Sequence, residues 1–160
     1  MVGNFTSEET INTLKAIFEM HRNERVCVLG TVCAGKSTLL KQLPGYNCLD
    51  MDDELWPSLP REETAFLNQT PWTEDMGDKI DRLAYKYLKV KPGYPLFTTV
   101  IVDCEAVVYL DISDRLLMEH CEKRGESFAD AKRIKKAIEG DWNAHKAENK
   151  KIFYYVMLTQ

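Results

Sequence analysis

The sequence has no apolar run long enough to span a membrane, and residues 1–12 lack the basic and apolar regions of a secretory signal. We therefore expect a cytoplasmic protein with no membrane partner. It also has no internal repeat, linker or low-complexity segment, so the simplest organisation is a single domain over residues 1–160.

The sequence also has no excess of basic residues and no pair of cysteines at a metal-ligand spacing. There are 21 Lys and Arg residues against 25 Asp and Glu residues. This balance disfavours nucleic-acid binding spread over the whole surface, although a local basic patch remains possible. The cysteines are odd in number and show no metal-ligand spacing, which predicts reduced, structural thiols. They are Cys27, Cys33, Cys48, Cys104 and Cys121.

One stretch of the chain matches a phosphate-binding pattern at every position. It fits G-x-x-x-x-G-K-[ST] and reads Gly30-Thr31-Val32-Cys33-Ala34-Gly35-Lys36-Ser37-Thr38. A short apolar run, 25–29, precedes it, and a helix-forming segment, 37–43, follows it. Strand, glycine-rich loop and helix therefore stand in the order that a P-loop requires.

The residue types of this loop suit a nucleoside triphosphate, and we expect all nine residues to contact it. Gly30 and Gly35 let the backbone approach the phosphates with its N–H groups pointing inward. Lys36 supplies a point charge for the β- and γ-phosphates, and the Ser37 hydroxyl is a ligand for Mg²⁺. The predicted cofactors are ATP and Mg²⁺. Modification of the Cys33 thiol by an electrophile is expected to block nucleotide binding.

Candidate residues for binding the phosphate acceptor lie at the end of the next predicted strand, 46–54, which ends in acids. Ligands bind outside the carboxyl ends of strands in open α/β sheets, so these acids are expected beside the loop. We expect Asp50 to support the metal and the acceptor, and Asp52 to accept the proton of an attacking hydroxyl. The alternative is that the acids only cap a helix. Arg61 and Thr99 are further candidate acceptor contacts.

Strands alternate with helices along the chain, which predicts a three-layer α/β fold with a mostly parallel, five-stranded sheet. The segment 94–112 allows two topologies: an extended return over 100–105 after a strand ending near Thr99, which we favour, or an antiparallel hairpin. The Walker B acid, which follows an apolar strand, has two candidates in this sequence, because both Asp103 and Asp111 follow apolar runs.

These features together resemble the small P-loop kinases, the group of nucleoside, nucleotide, shikimate and gluconate kinases, over most of the chain. The run 49–52 is similar to the D-x-D of the shikimate and gluconate kinases, and 108–113 followed by Arg124 resembles the strand leading into their lid. The resemblance implies a P-loop NTPase fold with a helical lid over about 120–140. It also implies that Arg124 acts in catalysis and that Arg124 and Arg133 bind nucleotide.

The sequence favours an ATP-dependent phosphotransferase that acts on a small acceptor, foremost a nucleoside or nucleotide. The alternatives are a kinase of another hydroxylated metabolite, a kinase of a polynucleotide 5′-end or cell-wall sugar, and a nucleotide-binding ATPase switch. A GTPase is disfavoured because 149–152 lacks the aspartate of N-K-x-D. Known acceptor motifs are absent, so the sequence names neither the acceptor nor the oligomeric state.

Overall fold

The computed structural model of the protein describes residues 4–5, 7–68 and 71–158. The strands are β1 (Asn4–Phe5), β2 (Val26–Leu29), β3 (Leu49–Asp50), β4 (Leu96–Thr98), β5 (Ala106–Ile112) and β6 (Ile152–Leu158). They form one sheet in the order β1-β6-β5-β2-β4-β3, in which every neighbouring pair is parallel. The five predicted strands are all present, and the two-residue β1 extends the sheet beside β6.

The helices that cover the sheet are α1 (Ser7–Met20), α2 (Lys36–Lys41), α3 (Met51–Leu55), α4 (Arg61–Leu67), α5 (Glu74–Tyr87), α6 (Asp114–Arg124) and α7 (Phe128–Glu148). A 3₁₀ turn, Trp56–Ser58, follows α3. Ser and Thr side chains begin the last three helices: Thr73, Ser113 and Ser127 each accept a hydrogen bond from a first-turn amide. None of the described helices is long and apolar enough to cross a membrane.

The alternation of side chains along the central strands divides the core into two layers. Val26 and Val28 of β2 face a cluster that includes α1, α2 and α6. Cys27 and Leu29 of the same strand face a second cluster with α3, α5 and α7. All four side chains are buried, as a strand covered on both faces requires. The α/β three-layer prediction is confirmed.

The segment between β4 and β5 takes the extended return and not the hairpin. Both strands run parallel to β2, on its opposite sides. The chain must therefore return from the carboxyl end of β2 to its amino end between them. Residues 99–105 make this crossing without a helix, and Val100, Ile101 and Val102 are buried along it. The amide of Glu105 then bonds the carbonyl of Arg25, 3.0 Å away, and starts β5.

The strand predicted over 46–54 is much shorter than expected. Only Leu49–Asp50 pairs with β4, and the acids Asp52, Asp53 and Glu54 lie in α3. The Asp50 side chain accepts the Asp52 amide at 2.9 Å, and this cap turns the chain from strand into helix. The cap places both Asp50 and Asp52 at the carboxyl end of the sheet.

Candidate active site

A cleft of about 940 Å³ opens at the carboxyl ends of β2, β3 and β4. Its donor half, as we call it, is formed by loop residues and basic side chains, namely Thr31, Val32, Cys33, Lys36, Ser37, Arg124, Arg133 and Lys136. Its acceptor half is formed by acids and two tryptophans, namely Asp50, Asp52, Trp56, Trp72, Glu74, Asp78, Asp81 and Asp141, together with Thr99.

The loop 30–38 has the backbone shape of an anion-binding concavity. Two of its residues have positive φ angles, 63° at Cys33 and 97° at Gly35, with Ala34 between them. Alternation of this kind turns successive N–H groups towards one side. The amides of Cys33, Gly35 and Lys36 donate no hydrogen bond within the described part of the chain. They remain available to phosphate oxygens.

The Lys36 side chain folds back over this loop. Its Nζ donates to the carbonyl oxygens of Gly30 at 2.5 Å and Thr31 at 2.8 Å. Burial lowers the pKa of Lys36 to about 8, and the negative charges of Asp52 and Asp50 oppose that shift. Lys36 therefore lies between the loop and the two acids of β3 and α3.

Two hydrogen bonds tie the loop to the helical hairpin of α6 and α7. The buried Thr31 hydroxyl donates to the carbonyl of Ala131 at 3.0 Å, and Nδ1 of His120 lies 2.7 Å from the carbonyl of Cys33. The Cys33 thiol is buried against that of Cys121, whose pKa burial raises to about 11. An electrophile therefore has little access to Cys33 in this arrangement. These contacts hold the predicted lid region against the loop.

A chain of hydrogen bonds orders the acids of the acceptor half. Asp50 accepts the Asp52 amide through Oδ1, and Asp52 in turn accepts the indole N–H of Trp56 at 3.0 Å. Asp52 is exposed to the cleft and Asp50 is half-buried. Both carboxylates keep an oxygen without a hydrogen bond among the described residues.

Three further acids in the cleft were not singled out from the sequence. Asp78 and Asp81 lie on α5 and Asp141 lies on α7. Burial, followed by repulsion from Asp141 and Asp78, raises the pKa of Asp81 to about 7. Burial also raises the pKa of Asp141. The helical spacing of 74, 78 and 81 was a usable signal, because it places three acids on one face of α5.

Trp72 forms a wall of the acceptor half and is held by α5. A Cβ atom added to Gly77 would lie 2.6 Å from Cζ2 of Trp72, so the indole occupies the space that any other residue at position 77 would fill. Nη1 of Arg133 lies 3.5 Å from the Trp72 carbonyl and 3.3 Å from Oδ1 of Asp130.

The structure brings most of the sequence-predicted residues together. Arg124, Arg133, Asp50, Asp52 and Thr99 all line the cleft with the loop. Gly30, Ala34, Gly35 and Thr38 shape the loop without lining the cleft. Arg61 begins α4 with its side chain exposed and does not line the cleft.

Neither candidate for the Walker B acid, Asp103 or Asp111, lines the cleft. Asp103 pairs with Arg25 at 2.9 Å, at the amino end of β2. Asp111 is buried, and its carboxylate accepts hydrogen bonds from Tyr155 at 2.5 Å and Tyr109 at 3.2 Å. Both carboxylates therefore have structural partners of their own.

Comparison with known proteins gives a fold. No family model and no curated protein sequence matches the chain. Among solved structures, it is similar to a gluconokinase from Sinorhizobium meliloti 1021, with 15% identity, 88% of this chain and 85% of that chain covered, and a TM-score of 0.51. The chain therefore has the three-layer, parallel α/β fold of that structure. At this identity the likeness shows the fold alone and assigns neither an activity nor an acceptor.

The described residues hold no group of three or more His, Cys, Asp or Glu side chains arranged for a metal ion. Mg²⁺ in phosphoryl-transfer sites needs fewer protein ligands, because waters and phosphate oxygens complete its shell. Ser37 and Asp50 fit that requirement: both line the cleft, and both offer oxygen atoms without a hydrogen-bond partner among the described residues.

Proposed function

We propose that this protein is an ATP-dependent kinase that transfers the γ-phosphoryl group to a hydroxyl of a small acceptor, foremost a nucleoside or nucleotide. One observation supports the proposal: a single cleft is lined by Lys36 of the glycine-rich loop and by the carboxylate of Asp52, which has one oxygen without a hydrogen bond among the described residues. A nucleotide-binding switch also needs the loop, but it transfers no phosphoryl group to an acceptor hydroxyl and so requires no carboxylate to take that hydroxyl's proton.

The loop would hold the triphosphate. Its free amides would bind phosphate oxygens, and Lys36 would exchange the carbonyls of Gly30 and Thr31 for the β- and γ-phosphates. Arg124, at the end of α6, would neutralise charge that develops on the transferred group. Arg133 would bind phosphate from the first turns of α7.

Asp52 would accept the acceptor's proton. As the bond from the acceptor oxygen to the γ-phosphorus forms, the bond from that phosphorus to the bridging oxygen breaks and ADP leaves with the electron pair. The proton of the hydroxyl passes to the carboxylate of Asp52, which Trp56 orients. Ser37 and Asp50 would hold Mg²⁺, which supplies charge neutralisation between the β- and γ-phosphates.

The test is ADP formation from ATP and Mg²⁺ with a panel of nucleosides, nucleotides, shikimate, gluconate and a 5′-hydroxyl oligonucleotide. We expect an acceptor-dependent rise in wild type and a fall of at least about 100-fold in Lys36→Ala. Lys41→Ala, at the far end of α2, is the matched control. Equal turnover in wild type and Lys36→Ala would contradict the proposal.

A further inference from the structure

The charges in the cleft are unevenly distributed, and this bears on which acceptor fits. Four cationic side chains line it, namely Lys36, Arg124, Arg133 and Lys136, and of these Arg133 also reaches the Trp72 carbonyl at 3.5 Å. Six carboxylates line it, namely Asp50, Asp52, Glu74, Asp78, Asp81 and Asp141. None of the six forms an ion pair with a cation of the described residues.

A bound triphosphate would use the cations. Lys36 lies on the loop itself, Arg124 ends α6, and Arg133 already contacts Asp130. Of the four cations, only Lys136, which lies between Arg133 and Asp141 on α7, would then remain, and an acceptor would face the three carboxylates of Asp78, Asp81 and Asp141 against that single positive charge. A like charge in such a partly buried place is disfavoured, because repulsion is weakly screened there.

The acceptor half also has a rigid aromatic wall. The Trp72 indole is seated against the backbone of α5, because Gly77 leaves room for it. Glycine lowers the helix propensity of α5 at this interior position, and it leaves the space that the indole fills. An indole in a cleft offers a flat face to a base or to the C–H face of a sugar, and it attracts cations.

We propose that the acceptor carries no anionic group and presents a ring face to Trp72, as a nucleoside, sugar or amino sugar does. This inference rests on the proposed function and narrows it: nucleoside is favoured over nucleotide, and an uncharged or amino sugar over a sugar acid. Trp72 and the three acids Asp78, Asp81 and Asp141 set this selectivity.

The first test reads the charge around Trp72 without any substrate. Fluorescence quenching by caesium, iodide and acrylamide is measured in Trp56→Phe, and each constant is divided by its value for free N-acetyltryptophanamide. Trp142, the remaining tryptophan, is only 6% exposed and contributes little. We expect the relative caesium constant to exceed the iodide constant at least twofold. An iodide constant equal to or above the caesium constant would overturn the inference.

Charge removal then locates the source of the effect. In Asp78→Asn the excess of caesium over iodide quenching should shrink, and it should shrink further in Asp78→Asn/Asp81→Asn. Asp75→Asn is the matched control, because Asp75 lies in the first turn of the same helix, is exposed and does not line the cleft. An unchanged excess in both cleft variants would contradict the assignment.

The second test uses matched acceptors at fixed ATP and Mg²⁺: a nucleoside with its 5′-monophosphate, and glucosamine with gluconate. We expect kcat/KM to favour the member without an anionic group at least about tenfold, which corresponds to about 1.4 kcal/mol. Preference for the anionic members would overturn the inference and leave the kinase standing. If none of the acceptors is phosphorylated, the proposed function is wrong, while the quenching result still decides the charge of the cleft.

Discussion

The two halves of the cleft are built in different ways. The donor half is built around one continuous stretch, 30–38, whose backbone forms the loop, and Thr31 and His120 connect this loop to α7 and α6, which add the basic side chains. The acceptor half comes from side chains on α3, α5 and α7, and its acids have no cationic partners within the described residues. The loop of the first half is therefore fixed by hydrogen bonds to α6 and α7, whereas Asp78, Asp81 and Asp141 of the second half make no ion pair with a cation of the described residues.

The largest expected effect separates chemistry from nucleotide binding. Asp52→Asn keeps an oxygen for the Trp56 indole but cannot accept a proton. We expect kcat to fall on the order of 100-fold while the Kd for ATP stays within about twofold. Steady-state kinetics and calorimetric titration with ATP measure the two quantities. Asp53→Asn, next along α3 and outside the cleft, serves as the control; a comparable loss there, or loss of ATP binding in Asp52→Asn, would refute the role.

The next effect concerns the tie between the loop and α7. Thr31→Val removes the hydrogen bond from a buried hydroxyl to Ala131, and we expect a loss of about 1 kcal/mol in the free energy of unfolding. Thr10 offers a matched control, since its buried hydroxyl has no hydrogen-bond partner among residues 4–5, 7–68 and 71–158. Thr10→Val should be neutral or stabilising. Urea titrations compare the variants, and equal losses would show that the tie contributes nothing.

The charge of the acceptor half gives a pH-dependent effect of similar size. The folded-state pKa of Asp81 is raised from 3.8 to about 7, so the folded state holds its proton more tightly than the unfolded state does. This group's contribution to stability therefore falls as pH rises from about 4 to 7. Asp81→Asn removes that loss.

We expect the free energy of unfolding of Asp81→Asn to exceed that of wild type by about 1 kcal/mol at pH 8, after allowance for solvent screening. Near pH 4 the two free energies should be equal. Urea unfolding at both pH values measures the difference. Asp75→Asn should show no such dependence. A gain in Asp81→Asn that is the same at both pH values would mean that it does not come from the charged carboxylate, whose burial and repulsion by Asp141 and Asp78 raise the pKa of Asp81.

The smallest effect tests whether the Trp72 indole packs against Gly77 of α5. An alanine at Gly140 of α7 would meet no atom within 4 Å, so helix propensity alone should stabilise Gly140→Ala by about 0.5–1 kcal/mol. Gly77→Ala should lack this gain and should shift the Trp72 emission, because the added Cβ displaces the indole. Thermal unfolding and fluorescence spectra report both. An equal gain in both variants would show that the indole is not held against Gly77.

The place and backbone shape of the loop 30–38 could be predicted from the sequence because its signal is local, whereas its contacts with nucleotide stay a prediction. The spacing of Gly30, Gly35 and Lys36 is contiguous, and the positive φ of Gly35 is a backbone demand that glycine meets readily. The fold followed for the same reason: alternating apolar runs and capped helices predicted the three layers.

The acceptor half was predicted poorly because it depends on contacts between distant residues. Asp81 and Asp141 meet only when α5 and α7 pack on the same face of the sheet. The strand over 46–54 was predicted too long, because the Asp50 cap competes with strand pairing and starts α3 at Met51. Arg61 was a plausible acceptor contact by position, and α4 places it outside the cleft-lining residues.

The most direct test of the central claim is the fate of the γ-phosphoryl group. Mass spectrometry after incubation of wild type with ATP, Mg²⁺ and the preferred acceptor should show one phosphoryl group on the acceptor for each ADP formed, and none in Lys36→Ala. ADP accompanied by an equal amount of inorganic phosphate, with the acceptor unmodified, would contradict the account and identify the cleft as an ATPase site.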